Sequence, residues 1–171
     1  LPVTGVQTCA LPIYTIYPPT TIEKLISSYK DYPEAISAMR CHKIKFNQNG
    51  SLLPYNDWEF ERMGGTEPSH LNFFTGCGGV LFPPTARTEE FFDAENIKSL
   101  SFLADDVWLN FLAVKNGIKV VKATWGKGTP ITIDDNPEES LVYMNAMYGN
   151  NNDKCIANMV EHYQIDFTGV N

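Results

Sequence analysis

Leu103-Ala104-Asp105-Asp106-Val107-Trp108-Leu109 places two adjacent carboxylates where an apolar helical pattern begins, some twenty residues after the glycine-rich run Asn72-Phe73-Phe74-Thr75-Gly76-Cys77-Gly78-Gly79-Val80-Leu81-Phe82. A carboxylate at a helix N-terminus is kept ionised by the helix dipole and by unpaired backbone N–H groups, so it can accept a proton from a substrate hydroxyl. Plain capping competes with that reading, because Asp is among the best N-cap residues. Val107, Leu109, Phe111, Leu112 and Val114 continue the pattern as a buried helix, and Gly117 ends it. The three glycines interrupting an apolar strand mark either a bulge or the close approach of a ligand or another backbone segment.

Working outward, Ile22, Leu25, Ile26 and Tyr29 recur at helical spacing, which predicts a helix over residues 20–31 with Thr21 as its cap. Residues 35–46 read as one strand ending in the turn Asn47-Gln48-Asn49-Gly50. Residues 51–71 read as a long loop with Tyr55, Trp58 and Phe60 in it, and loops of that length are uncommon unless functional or disordered. Residues 88–102 should be helical in short pieces with Phe91, Phe92, Ile97 and Leu100 inward, and 118–123 should be a buried strand. Two further helices are expected, over 138–148 and up to Tyr163, the second capped by Asn150 to Asp153. The order describes an α/β sheet domain with its site at the strand ends.

A chain of 171 residues that is 43% hydrophobic supports one globular domain with a real core. A net charge of −7 with no compensating Lys/Arg cluster argues against a nucleic-acid surface. The run Arg40-Cys41-His42-Lys43-Ile44-Lys45 alternates like a strand, with its charges read as solvated. No segment reaches the ~20 apolar residues of a membrane span. Cys9, Cys41, Cys77 and Cys155 form no metal-ligand or CxxC spacing, which suits a reducing, cytoplasmic compartment. With no basic partner nearby in sequence, Cys77 reads as a small buried hydrophobe.

Leu1-Pro2-Val3-Thr4-Gly5 fits the sortase pattern LPxTG but lacks the apolar segment and basic tail that should follow it. Val3 to Ile13, VTGVQTCALPI, resembles instead the conceptual translation of a DNA-sequencing adapter over eleven consecutive residues. Residues 1–13 are therefore set aside as an artefact. The biological sequence is expected to start near Tyr14 and to be a C-terminal fragment.

Tyr17-Pro18-Pro19, Lys43-Ile44-Lys45-Phe46, Leu53-Pro54-Tyr55-Asn56-Asp57-Trp58, Phe74 to Pro84 and Ala104 to Leu109 together resemble a bacterial glycosyltransferase family 2-like group, over roughly Tyr14 to Tyr163. The resemblance implies an α/β fold: the C-terminal part of a GT-A, Rossmann-like nucleotide-diphospho-sugar transferase domain, a mixed sheet with flanking helices. Residues 14–130 would form the partial domain and 131–171 a helical extension. In that family an acidic DxD-type cluster holds a divalent metal, Mn or Mg, against the donor diphosphate. Here the cluster should fall on Pro12, Ile13 and Tyr14, so no metal ligand is assigned and the fragment should be inactive alone.

For the intact parent, the resemblance implies Asp106 as base for the acceptor hydroxyl, with Asp105 binding acceptor or orienting the site. Thr75, Gly76, Gly78 and Gly79 would floor the donor and acceptor site, and Trp108 and Trp58 would stack on sugar, unless both simply pack in the core. The partners implied are a nucleotide-sugar donor and a glycan acceptor. His162 as a late metal ligand and Asp134-Asp135 as a displaced acidic motif have no support in spacing. A non-catalytic carbohydrate-binding module using Tyr55, Trp58 and Trp108 is the alternative; a nucleotidyltransferase is disfavoured by the lack of a glycine-rich, basic nucleotide loop.

Overall fold

The computed structural model describes residues 8–10, 15–61, 66–124, 130–133 and 150–167. Within them the chain is mixed α/β, with a mixed sheet flanked by helices. The main sheet has four strands: β1 (Thr8–Ala10), β3 (Ile36–Ala38), β6 (Val80–Phe82) and β7 (Val120–Lys122), in the order β1-β6-β3-β7. Strand β6 runs antiparallel to β1 and β3, while β7 is parallel to β3, so three strands share one direction. Strand β1 lies inside the segment that reads as adapter-derived, and its backbone pairs along the sheet edge from Thr8 opposite Phe82 to Ala10 opposite Val80.

Both faces of this sheet are covered, and the period-two alternation of its strands shows by what. On one face lies α1 (Thr21–Asp31), whose Leu25 packs with Met39, Leu81 and Ala123. On the other, Ile36, Ala38, Val80, Phe82 and Val120 meet Ala113 of α3 (Asp105–Lys115). Helix α1 falls where its spacing predicts, although its N-cap residue, Thr20, makes no side-chain cap bond and the Thr21 hydroxyl is buried without a hydrogen-bond partner.

The expected strand over 35–46 is two strands in two sheets. After β3 the chain breaks at Met39-Arg40, and β4 (Cys41–Lys43) pairs antiparallel with β5 (Asn72–Phe74), with Cys41 opposite Phe74 and Lys43 opposite Asn72. Ile44, Trp58 and Phe73 from this region pack with Trp108, Phe111 and Leu112 of α3, and with Ile156 and Met159 of α4 (Asn151–Tyr163). Helix α3 is thus buried on several sides, as its sequence suggests. A third pair, β2 (Thr15–Ile16) with β8 (Ile131–Thr132), ties the two ends of the sheet region together.

The stretch 88–102 resolves into a 3-10 turn, Glu89–Phe92, and α2 (Ala94–Leu100), which Asp93 caps by accepting the Asn96 N–H at 3.0 Å. Phe92 is exposed rather than inward, with the Arg87 guanidinium 5.6 Å from its ring centre. Asn150, in left-handed backbone, makes no side-chain cap on α4, and Asp153 instead accepts the Tyr55 N–H at 2.7 Å. The expected helix at 138–148 lies outside the described residues. Among the described residues, no helix is long and apolar enough to cross a membrane, and Cys41, Cys77 and Cys155 are free thiols.

Candidate functional site

Arg40 follows the carboxyl end of β3, Lys122 closes β7, and the glycine loop leads into the antiparallel β6. These positions meet at the carboxyl ends of the parallel strands, where open α/β sheets bind their ligands. Helix α3 delivers the acid pair to the same end.

The approach to α3 is unusual. Leu103 sits in left-handed backbone (φ 61°), and the helix's N-cap position is Ala104, which has no side chain able to cap. Local support comes from Ser101, whose hydroxyl donates to the Ala104 carbonyl at 2.6 Å. Neither Asp105 nor Asp106 is therefore the N-cap; both lie in the first turn. The capping reading fails for a geometric reason: Asp106 turns away from its own helix and its Oδ1 accepts the Gly76 N–H at 2.9 Å.

Asn110 holds that arrangement in register. Its Oδ1 accepts the Phe74 N–H, and its Nδ2 donates to the carbonyls of Phe74 and Asp106, at 2.9, 2.9 and 2.7 Å. A buried amide with these bonds locks α3 against β5 one residue before the glycine loop starts.

Each glycine then has its own reason. A Cβ on Gly76 would lie 3.1 Å from Asp106 Oδ1, so its absence lets the carboxylate approach. A Cβ on Gly78 would lie 2.5 Å from the Arg40 Cβ and 2.9 Å from the Arg40 nitrogen, so backbone fills that space. Gly79 has φ 93°, a conformation L residues seldom take, and its carbonyl accepts the Met39 N–H at 3.0 Å. Gly78 and Gly79 are therefore each required by the loop's own packing and backbone. Thr75 is buried, with its hydroxyl accepting from Arg40 Nη1 at 3.0 Å.

Arg40, whose charge reads from sequence as solvated, is instead bonded into the site. Besides Thr75, its Nη1 reaches Cys77 Sγ at 3.1 Å, and Nε and Nη2 both donate to Glu61 Oε1 at 2.9 and 2.6 Å. Cys77 is exposed, not buried, and its carbonyl accepts the Tyr17 hydroxyl at 2.9 Å. Tyr55 packs by its ring on Trp58, Phe60 and Phe73; burial, with the Asp106 charge next, pushes its phenol up to about 12.

The electrostatics single out Asp106. Burial, and then the charge of Asp105, push its carboxyl up to about 7, against the opposing pull of the Gly76 N–H and the Arg40 guanidinium. Asp105 is exposed beside it.

Trp58 and Trp108 do not belong to this surface. They are 4% and 1% exposed, with indole N–H groups given to the carbonyls of Leu53 and Phe91. Both rings are enclosed by protein, so neither offers a face to a sugar, and an aromatic binding platform loses its two tryptophans. His162 is exposed on the last turn of α4, edge-on to Tyr163, outside the bonded network around Asp106. Pro12, Ile13, Tyr14, Asp134 and Asp135 lie outside the described residues. Among the described residues no group of three or more His, Cys, Asp or Glu could hold a metal ion.

His42 supports the site from beneath. It is buried between Phe60 and Phe73, and its Nδ1 accepts the Glu61 N–H at 2.9 Å. Burial, and then the Arg40 charge, lower it to about 4. A histidine depressed below its unfolded value of 6.5 leaves the fold fully stable above that value and costs stability as pH falls toward 4. The difference between the two values corresponds to about 3 kcal/mol. Urea melts from pH 7 to pH 4 should therefore show wild type losing about that much more stability than His42→Gln; parallel profiles would refute the assignment.

Compared with known proteins, the chain matches no protein-family model and no curated protein.

Proposed function

We propose that this chain carries the acceptor-side part of an enzyme that transfers a sugar from a nucleotide-diphospho-sugar to a hydroxyl of a glycan or glycoconjugate, on the C-terminal part of a GT-A fold. The observation that carries the reading is the Asp106 carboxylate. It is turned off its own helix, fixed by the Gly76 N–H, and raised to about 7, where a base both holds its charge and accepts a proton near neutral pH. A mixed sheet with helices on both faces and the acid at its carboxyl end is compatible with that fold.

In this reading the Gly76 N–H occupies Oδ1, which leaves Oδ2 to receive the proton of the acceptor hydroxyl. The acceptor oxygen then bonds to the anomeric carbon as the bond to the donor diphosphate breaks, and the electron pair leaves with the diphosphate. Asp105, exposed one residue earlier, keeps the pair's negative charge at the acceptor and so maintains the basicity of Asp106.

The test is Asp106→Asn in the parent protein that carries this chain. Sugar transfer should fall by about 10²–10⁴-fold, the usual contribution of a positioned base. Transfer at the wild-type rate would sink the assignment.

A further inference from the structure

Arg40 divides its hydrogen bonds between fixed partners and a removable one. Its backbone is clasped: the carbonyl accepts the Thr75 N–H at 3.1 Å, and the Cβ sits in the space that Gly78 leaves open. Nη1 is held by Thr75 Oγ1 and Cys77 Sγ, both from the same loop. The opposite edge of the guanidinium, Nε with Nη2, converges on one oxygen, Oε1 of Glu61.

Glu61 is a poor permanent partner. Its side chain is 65% exposed against 29% for Arg40, and its backbone is left-handed at φ 48°, where residues other than glycine are uncommon. An ion pair that exposed contributes about 0–1 kcal/mol. The hydrogen bonds and charge of Arg40 hold this carboxylate below the usual carboxylate range, with only a small further contribution from the Lys122 charge. Arg40 thus directs two hydrogen bonds at one exposed anion, beside the loop that carries Gly76 and, through it, holds Asp106. The Nε/Nη2 edge is also the edge that suits two oxygens of a phosphate, whereas Glu61 supplies it only one.

We propose that the Nε/Nη2 edge of Arg40 is a binding site for a phosphate or diphosphate group of the substrate, and that Glu61 is a resident counter-ion which this group displaces. Arg40 stays in place when Glu61 leaves, because Thr75, Cys77 and Gly78 hold it from the other side. The site itself does not depend on the transfer reading; the carrier of its anion does. In sugar transfer the anion would be the departing diphosphate or a phosphate borne by the acceptor.

The test is titration calorimetry of the 171-residue chain with inorganic pyrophosphate and with methyl phosphate, in buffer containing EDTA. A protein of net charge −7 repels such anions in general, so saturable binding reports a local site. Removing the competing carboxylate in Glu61→Gln should tighten pyrophosphate binding by about five-fold, the equivalent of one exposed ion pair. Arg40→Lys, which keeps the charge but not the planar fork, should weaken it by about as much. Affinity unchanged in Glu61→Gln, or no binding by either wild type or Glu61→Gln, overturns the proposal; Glu61 is exposed, so the fold does not hinge on that variant. Pyrophosphate gains from its higher charge alone, so only affinity more than about ten-fold above that of methyl phosphate assigns the anion to the departing group, and a smaller difference, equality or the converse assigns it to the acceptor. Anion binding in a parent protein without sugar transfer would remove the transfer reading alone, and transfer without anion binding would remove this site alone.

Discussion

Asp106→Asn should stabilise the protein at pH 8 by about 2–4 kcal/mol and change its stability by less than about 1 kcal/mol at pH 4. The reason is the raised carboxyl: its value is 3.8 in an unfolded chain and about 7 in the fold. Such a group favours the folded state fully below 3.8, and that advantage is lost as pH rises through 7. Each tenfold change in proton affinity is worth about 1.4 kcal/mol, and part of it is returned because the site is not wholly shut off from water. Asparagine keeps an oxygen for the Gly76 N–H while removing both the buried charge and its repulsion from Asp105. Urea midpoints of wild type and variant at the two pH values check this. A variant less stable than wild type at pH 8 would mean that the carboxylate is solvated and that burial does not raise it. Higher stability together with lost activity is the expected signature of a functional acid held at a cost to the fold.

Gly78→Ala should destabilise the chain by about 3 kcal/mol or prevent its folding, the upper range for overpacking. The added methyl would meet the Cβ and backbone nitrogen of Arg40, neither of which can rotate away. Gly76→Ala is the informative comparison, because its methyl would meet only the end of the Asp106 side chain, at 3.1 Å. That variant should lose about 1 kcal/mol or less but displace the carboxylate, and thermal melts of the two side by side separate the roles. Equal losses would show that the loop resists any added side chain, whatever its neighbour.

Elements set by local periodicity are legible in the sequence. Helices α1 and α3, the glycine-broken strand pair and the short helical pieces after it follow from spacing and breakers, and the structure places them within a few residues of expectation. The break between β3 and β4 is not legible, because Met39-Arg40 carries no Gly or Pro. What bends the chain there is the loop packed against Arg40, far along the sequence at Gly78, which strand periodicity cannot register. The acid pair and the glycines are legible as residues but not as a pairing: that Gly76 exists for Asp106, and Gly78 for Arg40, is a fact of contact. Trp58 and Trp108 mislead for the converse reason, since an aromatic suits a sugar face and a core equally well until burial is known. Asn110 gives little signal within an apolar run. A polar residue one turn after a candidate acid, on a helix otherwise buried, is the clue that points to it.

Three of the bonds that make the site span long stretches of chain: 30 residues from Gly76 to Asp106, 35 from Arg40 to Thr75, and 36 from Phe74 to Asn110. Contacts of that separation close after local helices have formed, since the entropy of loop closure comes before any reward. Until they close, Asp106 is an ordinary carboxylic acid. Refolding near pH 6 should therefore draw a proton from solution, because the raised proton affinity of Asp106 arises with the packing of α3 against β5 and not with the helix alone.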